Sequence, residues 1–527
     1  MAKQTVNKKN LKVKFVSVEE GINALGFRRV AAVARKLNPN IDIYFITPGN
    51  LYSFLNHLLP SHKSMLTNKD INLIAKELAK ADLLCFSSMT PSSSYVARII
   101  TAVKKYNPKT YIVWGGVHCI INPEEAIKHA DAICIGEGEV PFEMFYSNYL
   151  INKKYTQTLN MWFRQGKRII RNPIRPLNTK EELSLFPHLY HNYDCFIYDQ
   201  KIKTFRNLNT SDFFRYNGLC YWTIWTLGCP YSCTYCANDA FIKIDNNYRN
   251  IRYSSVDYIL DEIEENIKKN PFITTIMFND DNFIALPLDV IKKFAKEYKK
   301  RINLPFAVSG LHPNLVTTQK MEILGKAGMN RGRMGIQSGS EKILAFYERP
   351  TSLKNIKQSV KILAKVTKKY NMIPPAYDII SDNPIATLDD ILKSLKFIYE
   401  LERPYTLTIF SLRIFPKTKL FDYFKKHPEI DIQALQSSYL ETGKTLDNIL
   451  LYSLAIFKPP KFIFFFLLKY VKGYEEKQKN YPTLYWAIKT LYLISRAIAH
   501  LERLDFSTIT GPWGYYLWKL GIRHRKA

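Results

Sequence analysis

Three of the eight cysteines fall within eight positions, in the stretch TLGCPYSCTYCAND that runs from Thr226 to Asp239. Cys229, Cys233 and Cys236 are spaced C-x3-C-x2-C, directly after a strand-like apolar run. A tight loop of this spacing lets three thiolates converge on three irons of a cubane [4Fe–4S] cluster and leaves the fourth iron without a protein ligand. That open iron is where chemistry would take place. Structural zinc is one alternative, but it needs a fourth ligand, and the candidate, Cys220, precedes the expected strand instead of flanking the loop. An all-cysteine electron-transfer cluster is the other.

The elements around these cysteines must hold the loop in place. Strand candidates recur as WTIWTLG (222–228), ITTIMFND (273–280), PFAVSG (305–310), RMGIQSG (333–339), AYDIISD (376–382) and TLTIFSL (406–412), with helical patterns such as SVDYILDEIEENIKK between them. Six strand–helix units over 216–425 predict a partial barrel whose chemistry sits at the carboxyl ends of its strands. The cysteine loop follows the first of them.

Ahead of the barrel, residues 1–150 read as a second α/β domain. KVKFVSV, IDIYFIT, DLLCFSSM, TYIVWGG and DAICIGEGE are each followed by a helical pattern, which predicts a flavodoxin-like, doubly wound parallel sheet. Such sheets bind ligands beyond the carboxyl ends of their strands. Those ends carry Ser87, Ser88 and Thr90 after the third strand, Gly115 and Gly116 after the fourth, and Gly136 after the fifth. Residues 151–215, polar and rich in Pro and Asn, read as an ordered connector.

With its cysteine motif at the end of strand one of a six-unit barrel, the chain resembles the radical S-adenosylmethionine (SAM) superfamily. The resemblance implies that SAM chelates the open iron and is cleaved to a 5′-deoxyadenosyl radical, which abstracts hydrogen from a substrate. The protein would position cofactors and exclude water. Tyr235 matches the aromatic residue usual between the second and third cysteines. FNDDNF (278–283) looks like the strand-two acidic motif, so Asp280 or Asp281 would face the SAM amine or the substrate as catalytic groups. GIQSGSEKIL (335–344) is similar to the strand-four segment near the SAM ribose, which makes Gln337 and Ser338 cofactor-binding candidates. Gln337 stands where Glu is commoner, and FPKT (415–418) where Pro-Gly-Thr is usual. Plainer roles exist for these residues: the aspartates as helix caps, Ser338 and Ser340 as N-caps.

A flavodoxin-like sheet ahead of such a barrel resembles the cobalamin-binding radical SAM class, and the resemblance spans roughly residues 11–425. The loop after strand one, VEEGINALG, contains no histidine. A lower cobalt ligand of the Asp-x-His-x-x-Gly kind is therefore excluded. Cobalamin would bind without a protein histidine on cobalt, its nucleotide tail passing Ser87, Ser88, Gly115 and Gly116, with Thr90 and Gly136 at the same strand ends. His118 reads as a loop anchor rather than a ligand. The class implies methyl transfer to an unactivated carbon, with radical cyclisation, rearrangement or carbon–carbon coupling as the runner-up. A tRNA methylthiotransferase is a further alternative, because Cys85, Cys119 and Cys134 lie in the first domain. Two of them fall inside strands, where cysteine is a small hydrophobe. A cobalamin- or cluster-binding sensor is the non-enzyme alternative.

The 527 residues are 46% hydrophobic and 23% charged, which indicates globular domains. No run reaches the roughly 18–20 apolar residues of a membrane span, so the expected location is cytoplasmic. The net charge of +29 is spread along the chain and reads as a solvated basic surface, with no dedicated nucleic-acid surface. Residues 426–527 read as helical and aromatic-rich. FKPPKFIFFFLLKYVK (457–472) and LYWAIKTLYLISRAIAHLERL (484–504) fit either helices packed on the barrel or an interfacial surface on anionic lipid at the inner membrane face. The expected partners are a small-molecule or lipid substrate and a reductant such as flavodoxin or ferredoxin.

Overall fold

The computed structural model describes residues 11–49, 65–189, 194–437, 442–474, 480–505, 507 and 512–521. The chain divides into two compact units, one running through Gly218 and the other beginning at Leu219.

The first unit is built on a nine-stranded sheet. Its centre comprises β1 (Val13–Val18), β2 (Asp42–Ile46), β3 (Leu83–Ser88), β4 (Tyr111–Gly115) and β5 (Ala132–Cys134), all parallel and ordered β5-β4-β3-β1-β2. This is the flavodoxin-like order expected from the strand–helix alternation. Val13 and Phe15 feed one core, while Val16 and Val18 feed the other. Burial on both faces is why these strands read as continuous apolar runs.

The segment expected as a connector belongs to this sheet. β6 (Met161–Gln165) pairs antiparallel with β5, and β7 (Arg168–Arg171) with β6. On the other edge β8 (Phe196–Asp199) pairs parallel with β2, and β9 (Thr204–Asn207) antiparallel with β8. These edge strands are short and half-solvated. Met161 and Phe163 turn inward while Arg164 and Gln165 turn out, so no apolar run announces them.

In the second unit β10 (Cys220–Thr223) leads a six-stranded parallel sheet. A two-stranded ribbon of β11 (Thr226–Leu227) and β12 (Arg252–Tyr253) follows. Then come β13 (Thr275–Phe278), β14 (Phe306–Leu311), β15 (Met329–Gln337), β16 (Ala376–Ser381) and β17 (Thr406–Ser411), in the order β10-β13-β14-β15-β16-β17. The first strand ends earlier than the run 222–228 suggested, because the chain leaves the sheet after Thr223 to form the ribbon. Cys220 lies within β10, buried, with its thiol directed at the Ser507 carbonyl at 3.4 Å.

Beyond the barrel the described chain is helical. Helix Leu446–Ile456 packs on β17 and on helix Pro482–Leu501. The Tyr492 hydroxyl donates to the Leu407 carbonyl of β17, and the Leu219 amide, just before β10, donates to the Ser507 carbonyl at 3.1 Å. Helix Pro482–Leu501 and the turn beyond it thus reach both edge strands of the partial barrel. Among the described side chains of helix Lys461–Tyr474, Phe464, Leu468 and Val471 are buried, and Phe464 stacks on Tyr399 at 4.0 Å. Among the described residues no helix is long and apolar enough to cross a membrane.

Candidate functional site

The cysteine loop leaves the ribbon at Gly228, whose φ of +98° is open to glycine at low cost. A Cβ there would lie 2.6 Å from the Tyr248 carbonyl oxygen, and the next amide, of Cys229, donates to that same carbonyl at 3.0 Å. Further along, the Thr234 amide donates to the Tyr347 carbonyl at 2.9 Å and the Thr234 carbonyl accepts from Leu420 at 3.2 Å. Ser232 donates to Asp239 at 2.6 Å. The loop is therefore fixed from several elements of the second unit before any metal binds.

Cys233 is buried, and Cys229 and Cys236 are half-buried. Burial lifts the Cys229 thiol to about 11, and the charges of Asp281 and Cys233 push the same way. Burial pushes Cys236 up as well, followed by Cys233 and Cys229. The sulfurs thus sit within electrostatic reach of one another, since Cys233 opposes ionisation of Cys229, and Cys233 and Cys229 together oppose that of Cys236. Binding irons would relieve that opposition, so the donor set fits an iron–sulfur cluster. Among the described residues no group of His, Cys, Asp or Glu converges on a single metal ion, and a cubane needs none, since each thiolate takes a different iron.

Asp280 and Asp281 do different work. Asp280 is 5% exposed and accepts from the Trp225 amide at 3.0 Å, the Thr226 amide at 2.9 Å and the Thr226 hydroxyl at 2.8 Å. Burial raises its pKa to about 7 against these hydrogen bonds. Both oxygens hold the turn between β10 and β11, which makes Asp280 a positioning residue for the loop. Asp281 accepts from Tyr248 at 2.8 Å, and its charge reaches Cys229 and Cys236. Neither aspartate forms a helix cap.

Gln337 ends β15 with φ +73°, where the register with β16 shifts, and is buried. The Ser338 hydroxyl faces the Ser394 hydroxyl at 3.1 Å and accepts from the Ser340 amide, so it ties the strand end to helix Leu388–Glu400. Ser340 is the N-cap of helix Glu341–Phe346. Tyr235 packs edge-on against Tyr347 at 5.0 Å.

Two residues at the loop were not singled out from the sequence. Arg349 is buried. One terminal nitrogen donates to the Tyr235 hydroxyl at 3.1 Å and lies 3.7 Å from Cys233 Sγ, while the other donates to the Gly335 carbonyl. His312 stacks on Tyr231 at 3.9 Å; its Nδ1 accepts from the Asn314 amide, and its buried Nε2 meets no protein partner. Burial, helped by the Arg349 charge, lowers its pKa to about 2. Both come from loops after β14 and β15, more than 75 residues from the cysteines in sequence, and no local spacing marks them.

In the first unit Ser88 is buried and its hydroxyl accepts from the Trp114 indole at 3.1 Å. Gly116, at φ +91°, presses on this strand end: a Cβ would fall 2.7 Å from the Ser88 carbonyl oxygen and 2.9 Å from Ser87 Oγ. Gly115 closes β4, and Gly136 follows β5 against the Asn160 side chain. The hydroxyls of Ser17 and Thr90 at neighbouring strand ends are buried with no protein partner, which fits a polar ligand there. His118 gives its Nε2 to Glu125 at 2.6 Å and stacks on Trp114. It anchors its own loop, as expected. Cys85 is buried inside β3, Cys134 ends β5, and Cys119 is buried in helix Val117–Ile121. Burial raises all three thiols.

The family model of the radical SAM superfamily matches residues 223–398, and that of the B12 binding domain matches residues 12–145. Among curated proteins the chain is similar to the heme chaperone HemW of Buchnera aphidicola subsp. Schizaphis graminum (strain Sg), 24% identical over 203 residues, 37% of this chain and 50% of that protein. It is also similar to the anaerobic magnesium-protoporphyrin IX monomethyl ester cyclase of Rubrivivax gelatinosus, 19% identical over 389 residues, 70% of this chain and 65% of that one. The chain thus spans half to about two thirds of these relatives' lengths.

Among solved structures, the radical SAM methyltransferase TsrM from Kitasatospora setae, with cobalamin and a [4Fe–4S] cluster bound, superposes with a TM-score of 0.61 at 10% identity, covering 93% of this chain and all of that one. The cobalamin-dependent radical SAM enzyme OxsB with aqua-cobalamin bound gives 0.60 at 16% identity, covering 97% of this chain and 76% of that one. The fold is shared with both. With a B12 binding domain at residues 12–145 ahead of a partial barrel that opens on a three-cysteine loop, this chain joins that domain to a domain of the radical SAM superfamily at residues 223–398.

Proposed function

We propose that the protein is a cobalamin-dependent radical SAM methyltransferase that alkylates an unactivated carbon of a hydrophobic substrate. The reading is carried by one observation: a single chain joins a B12-binding domain to a barrel whose three-thiol loop is held ready at the strand ends. When bound, the cluster and SAM supply the hydrogen-abstracting radical, and cobalamin supplies the methyl group. Cys229, Cys233 and Cys236 hold the cluster. Asp280 fixes the turn that delivers the loop, and Arg349 braces Tyr235 and Cys233 from strand four. Asp281 and Gln337 are the polar groups offered to SAM or substrate, while Ser338 keeps the strand-four turn in place. In the first unit the strand ends at Ser87, Ser88, Thr90, Gly115, Gly116 and Gly136 receive cobalamin, and the loop after the first strand offers cobalt no histidine.

The test is anaerobic reconstitution with iron, sulfide and hydroxocobalamin, desalting, and assay of SAM turnover with a chemical or flavodoxin reductant. About four irons and one cobalt per chain, with both 5′-deoxyadenosine and S-adenosylhomocysteine released, are expected. Release of 5′-deoxyadenosine alone would overturn methyl transfer. That outcome would favour the second reading, a radical cyclisation or rearrangement, for which the similarity to a cyclase speaks.

The substrate reading rests on the C-terminal helices. Phe462, Phe466 and Tyr470 are 57–75% exposed on helix Lys461–Tyr474, and Leu491, Ile494, Ile498 and Leu501 form an exposed stripe on helix Pro482–Leu501. Lys461, Lys469 and Lys472 are exposed on the same helix and Lys458 just before it. Aromatic side chains beside lysines match the boundary of an anionic bilayer, with rings below the headgroups and ammonium groups among them. Peripheral attachment at that face would bring the enzyme to a lipid-borne substrate.

A further inference from the structure

The second unit forms a partly open cavity of about 380 Å³ that no residue of the cysteine loop lines. Its wall combines Trp222 of β10, Arg331 and Arg333 of β15, Arg403 just before β17, and Arg496 of helix Pro482–Leu501. Four guanidiniums brought around one small cavity, each of them half-buried, repel one another unless something negative joins them. The carboxylates set against them are Asp378, which pairs with Arg333 at 2.8 Å, and Asp505, whose charge reaches Arg331 but whose oxygens are held by His500 and the Ser507 amide. Arg331 has the Met277 sulfur at 3.9 Å and Arg496 the Tyr492 hydroxyl at 3.0 Å. Arg403 donates to the Leu454 carbonyl, while its Nε is buried without a partner. The Trp222 indole N–H, also buried, has none either. Among the described residues, the Arg403 Nε–H and the Trp222 indole N–H are thus buried donors in the wall that meet no acceptor.

We propose that this cavity binds a phosphate or diphosphate group of the substrate. The guanidinium fork matches tetrahedral phosphoryl oxygens two at a time, and four guanidiniums set against Asp378 and Asp505 favour a group carrying more than one negative charge. The cavity volume suits a headgroup with its first few carbons. Arg333 and Arg331 precede Gly335 by two and four residues on β15, so at about 3.3 Å per residue they lie roughly 7 and 13 Å along the strand from the carbonyl that Arg349 grips. A phosphate ester anchored there extends its chain toward the cysteine loop. This assignment deepens the substrate side of the proposed methyltransferase but does not need methyl transfer to be true.

The experiment is calorimetric titration of the reconstituted full-length protein with inorganic pyrophosphate, octyl phosphate and citrate at matched ionic strength. Expected are one pyrophosphate per chain, octyl phosphate binding at the same site by competition, and citrate at least tenfold weaker. Arg331→Gln and Arg403→Gln should each weaken pyrophosphate tenfold or more. Ala499→Phe fills the cavity without removing charge and should abolish binding, while melting temperature and iron content report whether each variant is folded. Absence of pyrophosphate binding to the parent protein, equal affinity for citrate, or binding unchanged in folded variants would overturn the proposal. Pyrophosphate binding that persists in a protein releasing no S-adenosylhomocysteine would sink the methyltransferase reading alone.

Discussion

Arg349 donates a hydrogen bond to the Tyr235 hydroxyl at 3.1 Å, and the same nitrogen lies 3.7 Å from Cys233 Sγ. A residue from the loop after strand four thereby braces the middle of the cysteine loop. Removing it as Arg349→Ala leaves a buried hydroxyl and the Gly335 carbonyl without their donor, at about 1–3 kcal/mol each. The expected result is a lower melting temperature and fewer irons per chain after reconstitution. Arg349→Lys, with one point of charge in place of a fork, should recover only part of both. Full iron loading and parental stability in the alanine variant would show that the brace is dispensable.

The buried imidazole of His312 makes stability depend on pH in a defined window. Its folded pKa of about 2 lies below the ordinary 6.5, so between those values the unfolded chain binds the extra proton. Stability is whole above pH 6.5 and falls as the pH drops, by about 1.4 kcal/mol per unit for this one group. His312→Phe keeps a ring against Tyr231 and removes the titration. Urea unfolding of the metal-free protein at pH 7.5 and 5.5 should show a smaller difference in the variant than in the parent.

Gly116 admits no side chain. A Cβ would meet Ser88 backbone atoms at 2.7 and 2.8 Å, at a φ of +91°. Gly116→Ala should cost about 1–3 kcal/mol and move the strand ends that carry Ser87 and Ser88. A reduced cobalt-to-iron ratio after reconstitution is expected, with iron near the parental value, because the cysteine loop belongs to the other unit. An unchanged ratio would remove these strand ends from the cobalamin site.

Lys417 occupies the position where the family usually has glycine, and its φ is +62°. The fold thus keeps the left-handed turn without the residue that favours it, and Thr418 still caps the next helix by accepting from Phe421 at 3.2 Å. Lys417→Gly should stabilise the protein by up to about 1 kcal/mol, the relief of strain less the added freedom of the unfolded chain. Differential scanning calorimetry reads the sign. A fall in melting temperature would mean that the lysine's own contacts outweigh the strain.

The aromatic face of helix Lys461–Tyr474 predicts binding to vesicles containing phosphatidylglycerol that weakens with salt. Replacing Phe462, Phe466 and Tyr470 together by Ser should reduce flotation at least tenfold while leaving the buried stripe of Phe464, Leu468 and Val471 intact. Equal flotation of both proteins would remove the lipid surface from the functional reading.

The sequence by itself determined the two α/β units, the alternation of strands and helices within them, and the three cysteines. Each of these is written in short-range signals: apolar runs of strand length, helical periodicity between them, and a fixed spacing within eight residues. Even there the tertiary structure intervened. The run 222–228 was cut at Thr223 because Asp280, more than fifty residues away, grips the amides of Trp225 and Thr226. The four edge strands between Met161 and Asn207 were hidden because a half-solvated hairpin alternates too briefly to register. Which polar groups meet was decided only by the fold. Arg349 at Cys233, His312 on Tyr231, and four arginines around one cavity come from different strand ends and helices, and nothing in their neighbourhoods along the chain sets them apart from surface residues of the same type. Local spacing can specify a metal loop because its ligands are covalent near-neighbours; the brace behind it and the cavity beside it exist only once parallel strands far apart in sequence lie side by side.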